Sequence, residues 1–263
     1  MKSFDRLIEI MDELREKCPW DKKQTFESLR HLTIEETYEL ADAILEGDRE
    51  GIRKELGDIL LHIVFYAKIA SETGDFTITD VIDGICDKLV FRHPHVFGNV
   101  YVNNAEEVKT NWENLKIREG NRSVLAGVPG SLPALVKAHR VQDKARSAGF
   151  DWDEREQVWD KIEEELGELK AEIKRMDAEK MEGEFGDFLF SMVNAARLYG
   201  IDPEAALERT NKKFIRRFNY LEQQAMQAGR LLSSMTLTEM DVIWEEAKKM
   251  ALSPVNNQSQ ALL

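Results

Sequence analysis

The sequence predicts an all-α protein built from two tandem helical-bundle domains. Only six of its 263 residues are proline, and apolar residues recur at helical spacing through most of the chain. No segment of useful length alternates apolar and polar residues as a strand does, although residues 100–102 favour a locally extended backbone. An ordered series of Trp, acidic and basic residues also occurs twice, about 130 residues apart, which predicts two domains of similar fold.

Five helices are predicted in the first half, several with their own start or stop signals. They cover residues 4–16, 33–46, 49–72 and 78–92, and a short fifth helix carries Trp112. Thr33 and Glu36 have the spacing of a capping box. Gly74 ends the third helix, and His93-Pro94 ends the fourth because the residue before proline disfavours helix. The third helix should bury one stripe: Leu56, Ile59, Leu60, Ile63, Val64 and Ala67.

The second half repeats this series after a Gly- and Pro-rich segment. Its helices are predicted at 133–148, 158–176, 178–199, 203–228 and 237–250. We therefore expect domains at 1–118 and 133–252, a linker at 119–132 and a polar, frayed tail at 253–263. Because each half has only short helices, dimerisation to complete a core is expected.

Composition narrows the functional classes. The net charge of −13 disfavours a nucleic-acid partner, since such binding depends on basic residues that neutralise phosphates. Cys18 and Cys86 have neither disulfide-framework nor zinc-site spacing, which favours free thiols in a reducing compartment. The sequence shows no apolar leader and no run long enough to span a membrane. We therefore expect a cytoplasmic protein without a membrane partner.

Acidic residues form the strongest functional pattern. Each half contains a Glu-Glu-x-x-Glu motif followed by a Glu-x-x-Asp motif, and the two copies match at an offset of 129 residues. The pairs, three residues apart on a helix, each project from one face. The candidate metal ligands are Glu36, Glu39, Glu55 and Asp58 in the first half, and Glu165, Glu168, Glu184 and Asp187 in the second.

These carboxylates favour Mg²⁺, with Mn²⁺ as a possible substitute. Hard oxygen ligands without His or Cys suit Mg²⁺, which commonly bridges protein carboxylates and substrate phosphates. A di-iron bundle would need Glu-x-x-His motifs, and these are absent from the two acidic series. Gly57 and Gly186 lie within the second motif of each copy, where a helical glycine suggests close packing. Solvated acidic faces are the simpler alternative, but the repeat in register argues against it.

Basic and aromatic residues are duplicated as well. Lys213 and Arg217 lie four residues apart on one helical face, as do Lys88 and Arg92, and such pairs can neutralise phosphate oxygens. Trp152 and Trp244 can offer stacking faces to a base, whereas burial in the core is the ordinary alternative for tryptophan. The pattern as a whole points to a small phosphorylated ligand.

Further motifs carry a family resemblance over nearly the whole chain. They are Cys18-Pro-Trp-Asp, both acidic series, Arg92-His-Pro-His-Val-Phe97, the linker stretch 128–135 and Gly149-Phe-Asp-Trp152. Together they resemble the MazG family of nucleoside triphosphate pyrophosphohydrolases, within the all-α NTP pyrophosphatase superfamily. The resemblance implies a Mg²⁺-dependent homodimer that hydrolyses NTPs and dNTPs between the α and β phosphates, giving NMP and pyrophosphate.

The resemblance also implies roles for individual residues. The second-half carboxylates would hold Mg²⁺, while Glu164 or a metal-bound carboxylate would orient the attacking water. The triphosphate would be bound by Lys161, Lys180, Lys213 and Arg217, and the nucleoside by Trp244. Lys161 and Lys180 correspond to Leu32 and Gly51 at the 129-residue offset. The second half is therefore expected to be the main catalytic domain, and the first structural, regulatory or weakly active.

Three other interpretations stay open at this level. The fold could serve a non-catalytic module that binds Mg²⁺ and nucleotide. It could belong to a related enzyme of the superfamily that acts on dUTP or phosphoribosyl-ATP, although the two-domain layout and linker fit MazG better. It could also be a purely structural helical bundle.

Overall fold

A computed structural model describes residues 2–104, 107–108, 111–112, 115 and 123–250. Within these ranges the regular secondary structure is helical, and no strand is present. The chain divides into two compact units, 1–126 and 127–263, and the division falls inside the predicted linker. The detailed domain bounds stay predictions, and the predicted tail lies outside the described residues. No described helix is long and apolar enough to cross a membrane.

The first unit is organised around its longest helix. Its helices are α1 (Lys2–Lys17), α2 (Phe26–Glu46), α3 (Arg49–Thr73), α4 (Ile78–Arg92) and the single-turn α5 (Pro94–Phe97). Both α1 and α2 pack against α3, and α4 contacts it as well. A core of Met11, Leu29, Val64 and Phe65 joins the first three helices. The hairpin of α2 and α3 brings the two acidic motifs of this half onto neighbouring helices.

The second unit repeats the helical hairpin. Its helices are α6 (Ala134–Ser147), α7 (Val158–Arg175), α8 (Ala178–Leu198), α9 (Pro203–Gln227) and α10 (Leu237–Met250). The closest packing is between α7 and α8, while α9 packs on α10 and also contacts α6 and α8. Val158, Ile162 and Ala195 form the buried centre of the α7–α8 pair. The second pair of acidic motifs therefore also lies on adjacent helices.

Most predicted helix bounds are confirmed to within two residues. Helix α4 ends at Arg92, immediately before His93-Pro94. Helix α3 ends at Thr73 and is capped by Gly74, whose φ of 76° lies in the left-handed region that glycine adopts without strain. Trp112 is helical, but most of the predicted helix around it lies outside the described residues.

The predicted start of α2 is wrong. The helix begins at Phe26, and Thr25 and Ser28, rather than Thr33 and Glu36, form its capping box. Thr33 lies inside the helix, where its hydroxyl donates to the carbonyl of Leu29 at 3.1 Å and lies 2.7 Å from the Tyr66 hydroxyl. The first two turns form because Leu29 is fully buried in the core. Tertiary burial therefore overrode a local capping signal.

The predicted buried stripe of α3 is only partly correct. Val64 and Ala67 are buried, but Leu56, Leu60 and Ile63 are 53%, 38% and 42% exposed. Glu55, His62, Phe65 and Ala70 lie on the buried side instead. At the 129-residue offset, Phe185, Leu189 and Met192 on α8 are exposed to a similar degree. Each unit thus carries an exposed apolar stripe on the helix that bears its Glu-x-x-Asp motif.

Candidate metal centres

The first unit brings three predicted ligands together at the α2–α3 hairpin. One carboxylate oxygen from each of Glu36, Glu39 and Glu55 lies within 4.8 Å of the others. Asp58 is outside this closest group, but its charge acts on Glu36. Partial burial, and then the charges of Asp58 and Glu39, raise the pKa of Glu36.

The second unit forms an equivalent cluster at the α7–α8 hairpin. One carboxylate oxygen from each of Glu165, Glu184 and Asp187 lies within 4.8 Å of the others. Glu168 is exposed and outside this closest group. Partial burial, and then the charges of Glu168 and Asp187, raise the pKa of Glu184. All four predicted carboxylates of this half therefore interact, three of them closely.

The donor set fits a hard divalent cation. Three carboxylates within 4.8 Å repel one another, and a cation between them reverses the sign of that interaction. Glu55 provides more specific evidence for a cation site, because its side chain is buried and its Oε2 atom has no hydrogen-bond partner among the described residues. A buried carboxylate oxygen without a donor is costly unless a cation or a bound water satisfies it.

The two clusters place their lysine partners on opposite helices of the hairpin. In the first, the Lys54 ammonium donates to the buried Glu55 on α3 at 3.0 Å, and the carboxyl of raised pKa is Glu36 on α2. In the second, Lys161 donates at 2.7 Å to the buried Glu165 on α7, the helix equivalent to α2. The carboxyl of raised pKa is then Glu184 on α8. Both clusters therefore contain a lysine-paired buried glutamate and a glutamate of raised pKa. The paired glutamate lies on the second helix of the hairpin in the first unit and on the first helix in the second unit.

Lys161 is placed where the sequence predicts. Its ammonium also lies 3.0 Å from Glu164 Oε1, and the hydrogen bonds to Glu165 and Glu164 raise its pKa. Glu164 is more than half exposed and lies at the edge of the cluster through this shared lysine. Lys180 begins α8, where its ammonium pairs with Asp177 at 3.3 Å. Lys180 therefore lies on the same helix as Glu184 and Asp187, four and seven residues before them.

The basic and aromatic residues meet on the α9–α10 pair. The Arg217 guanidinium lies over the Trp244 ring, 6.0 Å from its centroid, and Phe214 lies 5.1 Å from the same ring. The first unit repeats this contact, with Arg92 5.9 Å from the Trp112 centroid. The Nε atom of Arg217 is buried and has no acceptor among the described residues. Arg217 is therefore held against the Trp244 ring while the hydrogen bond of its buried Nε stays unmade among the described residues.

The remaining predicted binding residues are less closely placed. Lys213 is exposed on α9, one turn before Arg217, and Trp152 is 40% exposed in the segment before α7. Trp244 is half-buried beside Phe214. Sequence reasoning missed Lys54 and Phe214. Lys54 could have been found as the basic neighbour of Glu55, and Phe214 as the aromatic neighbour of Lys213.

The fold and the two sites together define the class of this protein. It is an all-α protein with two copies of a carboxylate cluster, and each copy lies on a helical hairpin. The MazG nucleotide pyrophosphohydrolase domain matches this chain twice, at residues 24–97 and 154–221. The chain therefore belongs to the MazG family, whose members are hydrolases of nucleotide anhydrides that depend on metal ions. Both matches span the acidic motifs of their half.

Relatives cover nearly the whole chain. It is 42% identical to the nucleoside triphosphate pyrophosphohydrolase of Escherichia coli K12 over 258 residues, which are 95% of this chain and 98% of the relative. It is 44% identical to the nucleoside triphosphate pyrophosphohydrolase/pyrophosphatase MazG of Thermotoga maritima over 250 residues, 93% and 95% of the two chains. A Mycobacterium tuberculosis nucleoside triphosphate pyrophosphohydrolase is 40% identical over 152 residues, 56% of this chain and 46% of the relative.

Proposed function

We propose that this protein hydrolyses NTPs and dNTPs between the α and β phosphates to NMP and pyrophosphate, using Mg²⁺. The main support is the second-unit cluster, where the carboxylates of Glu165, Glu184 and Asp187 converge. Lys161 donates a hydrogen bond to the buried Glu165 of this cluster. Carboxylates and a lysine ammonium at one point are the groups that a Mg²⁺-bound phosphate chain requires. The names of the full-length relatives support the same reaction.

In this proposal the carboxylates of the second unit hold the cation. The ligands are Glu165, Glu168, Glu184 and Asp187. When bound, the cation lowers the pKa of a coordinated water and screens phosphate charge. Glu164 is more than half exposed beside the cluster, with Lys161 at its Oε1 atom, and is assigned to orient a water and accept its proton.

Basic residues bind the triphosphate and stabilise its leaving group. Lys161 lies at the cluster and Lys180 on the same hairpin, so both are assigned to phosphate oxygens close to the cation. Lys213 and Arg217 supply charge from α9, where the Nε of Arg217 has no acceptor among the described residues. Stabilising negative charge on departing pyrophosphate is where such cations contribute most. Trp244, with Phe214 beside it, offers an apolar face to the nucleoside.

We assign the main catalytic role to the second unit. Lys161 and Lys180 have no basic counterpart, since Leu32 and Gly51 stand at the equivalent positions. Each charge-assisted contact is worth about 1.5–3 kcal/mol, so their absence weakens triphosphate binding by orders of magnitude. Lys54 and the unsatisfied Oε2 of Glu55 nevertheless leave the first unit equipped to bind a cation. A structural or regulatory cation site is our proposal for that half.

Product analysis tests the proposed reaction. Each canonical and damaged NTP is incubated with the protein and Mg²⁺, and products are separated by anion-exchange chromatography. We expect NMP and pyrophosphate, loss of turnover with EDTA, and recovery on adding back Mg²⁺ or Mn²⁺. Formation of NDP and phosphate would reject the reaction, and tight nucleotide binding without turnover would favour a non-catalytic module. Activity restricted to dUTP or phosphoribosyl-ATP would indicate the related enzymes of the superfamily.

We also propose that the protein is a homodimer that acts in the cytoplasm. The exposed stripe of Phe185, Leu189 and Met192 continues past Gly186. A Cβ atom at Gly186, or at its equivalent Gly57, would meet no atom of the described residues within 4 Å, so close packing within the described part of the chain does not explain either glycine. In a homodimer, a helix of the partner subunit could pack closely against the exposed apolar stripe, and this close approach would explain the glycine inside the helix. The free thiols of Cys18 and Cys86 agree with a reducing compartment.

Replacement of Gly186 by alanine tests this assembly. Within one chain, Gly186→Ala should stabilise α8 by up to about 1 kcal/mol, because alanine favours helix and the added methyl meets no atom of the residues that the structure describes. In a dimer closed over this face, the same methyl should weaken association. We expect sedimentation equilibrium to show a wild-type dimer and a raised dissociation constant for Gly186→Ala. A wild-type monomer, or a dimer that Gly186→Ala and Leu189→Ser both leave unchanged, would contradict the proposal.

A further inference from the structure

Glu172 is a buried carboxylate that the acidic motifs do not include. It lies on the buried stripe of α7 with Val158, Ile162, Glu165 and Leu169, and it is only 7% exposed. The exposed Arg175 donates to its Oε1 atom. Its Oε2 atom is buried and has no hydrogen-bond partner among the described residues. One half of this carboxylate is therefore unsatisfied.

Glu172 lies on the same face of α7 as the cluster residue Glu165, two turns nearer the loop of the hairpin. Glu165 and Glu172 are seven residues apart on α7, which places them on one helical face two turns apart. Across the hairpin, Glu172 is near enough to Glu184 for the two negative charges to interact. A fifth, buried carboxylate therefore lies on the loop side of this cluster.

The first unit has no carboxylate at the position equivalent to Glu172. At the 129-residue offset, Glu172 corresponds to Ala43, which is buried in α2. Glu172 is thus confined to the unit that also carries Lys161 and Lys180, both absent from the other half. A requirement of the helical hairpin itself would be expected in both units, so the difference points to the ligand of the second.

A structural role limited to the Arg175 ion pair explains the arrangement poorly. The Arg175 side chain is 68% exposed and Glu172 only 10%, so the arginine satisfies one oxygen from the solvent side. An unpaired oxygen on a buried carboxylate remains unfavourable. A divalent cation, or a water bound to it, would satisfy this oxygen and reduce repulsion from Glu184.

We propose that Glu172 is a fifth carboxylate of the second-unit cation site and binds the cation directly or through one of its waters. This inference rests on the proposed function, because it assumes a cation at Glu165, Glu184 and Asp187. It adds a ligand that the repeated motifs do not mark. It also gives the second unit a more negative cation site than the first.

Mn²⁺ binding tests this role without relying on turnover. The full chain carrying Glu36→Gln and Glu39→Gln, which disable the first cluster, is titrated with Mn²⁺ and free ion is followed by electron paramagnetic resonance. Adding Glu172→Gln should weaken Mn²⁺ binding about 10- to 100-fold, the range seen when groups supporting a metal site are removed. The matched control is Glu163→Gln, which removes an exposed charge from the same helix and should have little effect.

Arg175→Gln separates the ligand role from the ion pair. If Glu172 acts on the cation, Arg175→Gln should leave Mn²⁺ affinity within about twofold, since the exposed arginine faces the other oxygen. Equal losses in Glu172→Gln and Arg175→Gln, or no loss in Glu172→Gln, would overturn the inference while leaving the proposed function intact. Absence of Mn²⁺ binding in the background chain would overturn both. If Glu172→Gln folds poorly by circular dichroism, Glu172→Leu, which needs no hydrogen bond, gives the same readout.

Discussion

Replacing Glu184 by glutamine is expected to reduce turnover at least about 100-fold, equivalent to about 2.7 kcal/mol of lost transition-state stabilisation. The side chains are nearly the same size, so the change removes one negative charge from the second cluster. Glu184 is the carboxyl whose pKa is raised by partial burial and by its acidic neighbours, which places it among the converging ligands. Pyrophosphate release from dATP and ATP, measured at saturating Mg²⁺, gives the comparison.

The matched variant is Glu55→Gln, at the equivalent position of the first unit. If the second unit carries catalysis, this change should reduce turnover less than about threefold, although it removes the ligand whose Oε2 is unsatisfied. The pair Glu168→Ala and Glu39→Ala repeats the comparison on the other helix of each hairpin. Full loss in the first-unit variants with activity retained in the second-unit variants would reverse the assignment. Circular dichroism of all four variants separates lost chemistry from lost fold.

The acidic clusters could be predicted because they depend on local geometry. Residues three apart on a helix share a face, and a short turn after Glu46 or before Ala178 returns the chain as a second helix alongside the first. The recurrence of both acidic motifs at one offset of 129 residues then distinguished them from ordinary surface charge. The lysine partners were harder to predict. Lys54 and Lys161 occupy unrelated positions in the two copies, so the 129-residue offset pairs neither with a basic residue, and Lys161 was predicted only from the family resemblance.

The errors have a common physical cause. Thr33 with Glu36 matched a helix start, and Leu56, Leu60 and Ile63 matched a buried stripe, yet the chain placed both differently. Local spacing gives the period of a helix but not which face the other helices cover. Leu29 in the core extended α2 towards its N-terminus, and the packing of α1 and α2 on α3 left the Leu56 side uncovered. Glu172 was missed because its burial, not its spacing, distinguishes it.

A buried ion pair in the second unit should contribute strongly to stability. The Arg197 side chain is 5% exposed and donates to both carboxylate oxygens of Asp151, at 3.0 Å to Oδ2, while Asn194 Oδ1 accepts from its Nε at 3.0 Å. Burial favours the neutral form of Asp151, but the hydrogen bonds and charge of Arg197 outweigh it and lower the pKa of this carboxyl. The contact ties the segment before α7 to the end of α8.

Arg197→Met is therefore expected to lower the free energy of unfolding of the second unit by about 2–3 kcal/mol. This is below the roughly 3–5 kcal/mol for breaking a fully buried pair. The Asp151 side chain is 18% exposed, and Arg146 Nε lies 3.5 Å from its Oδ2 atom, so the carboxylate is not left buried and unpaired. Urea unfolding at pH 7, followed by circular dichroism, measures the loss. Arg155→Gln, at an exposed ion pair with Glu156, is the control and should change little.

The stabilisation that Arg197 and Asp151 provide should decrease at acidic pH. Since the folded pKa of Asp151 lies below the ordinary value of 3.8, its contribution is fully present above that value and is lost as pH falls through the folded pKa. The wild-type advantage over Arg197→Met should therefore be constant from pH 7 to about 5 and shrink at lower pH. Asp151→Asn should remove most of the same advantage at pH 7, and the double variant should lose less than the two single losses added together. Additive losses, or a difference that does not change with acidification, would show that Arg197 stabilises the unit by packing and not through Asp151.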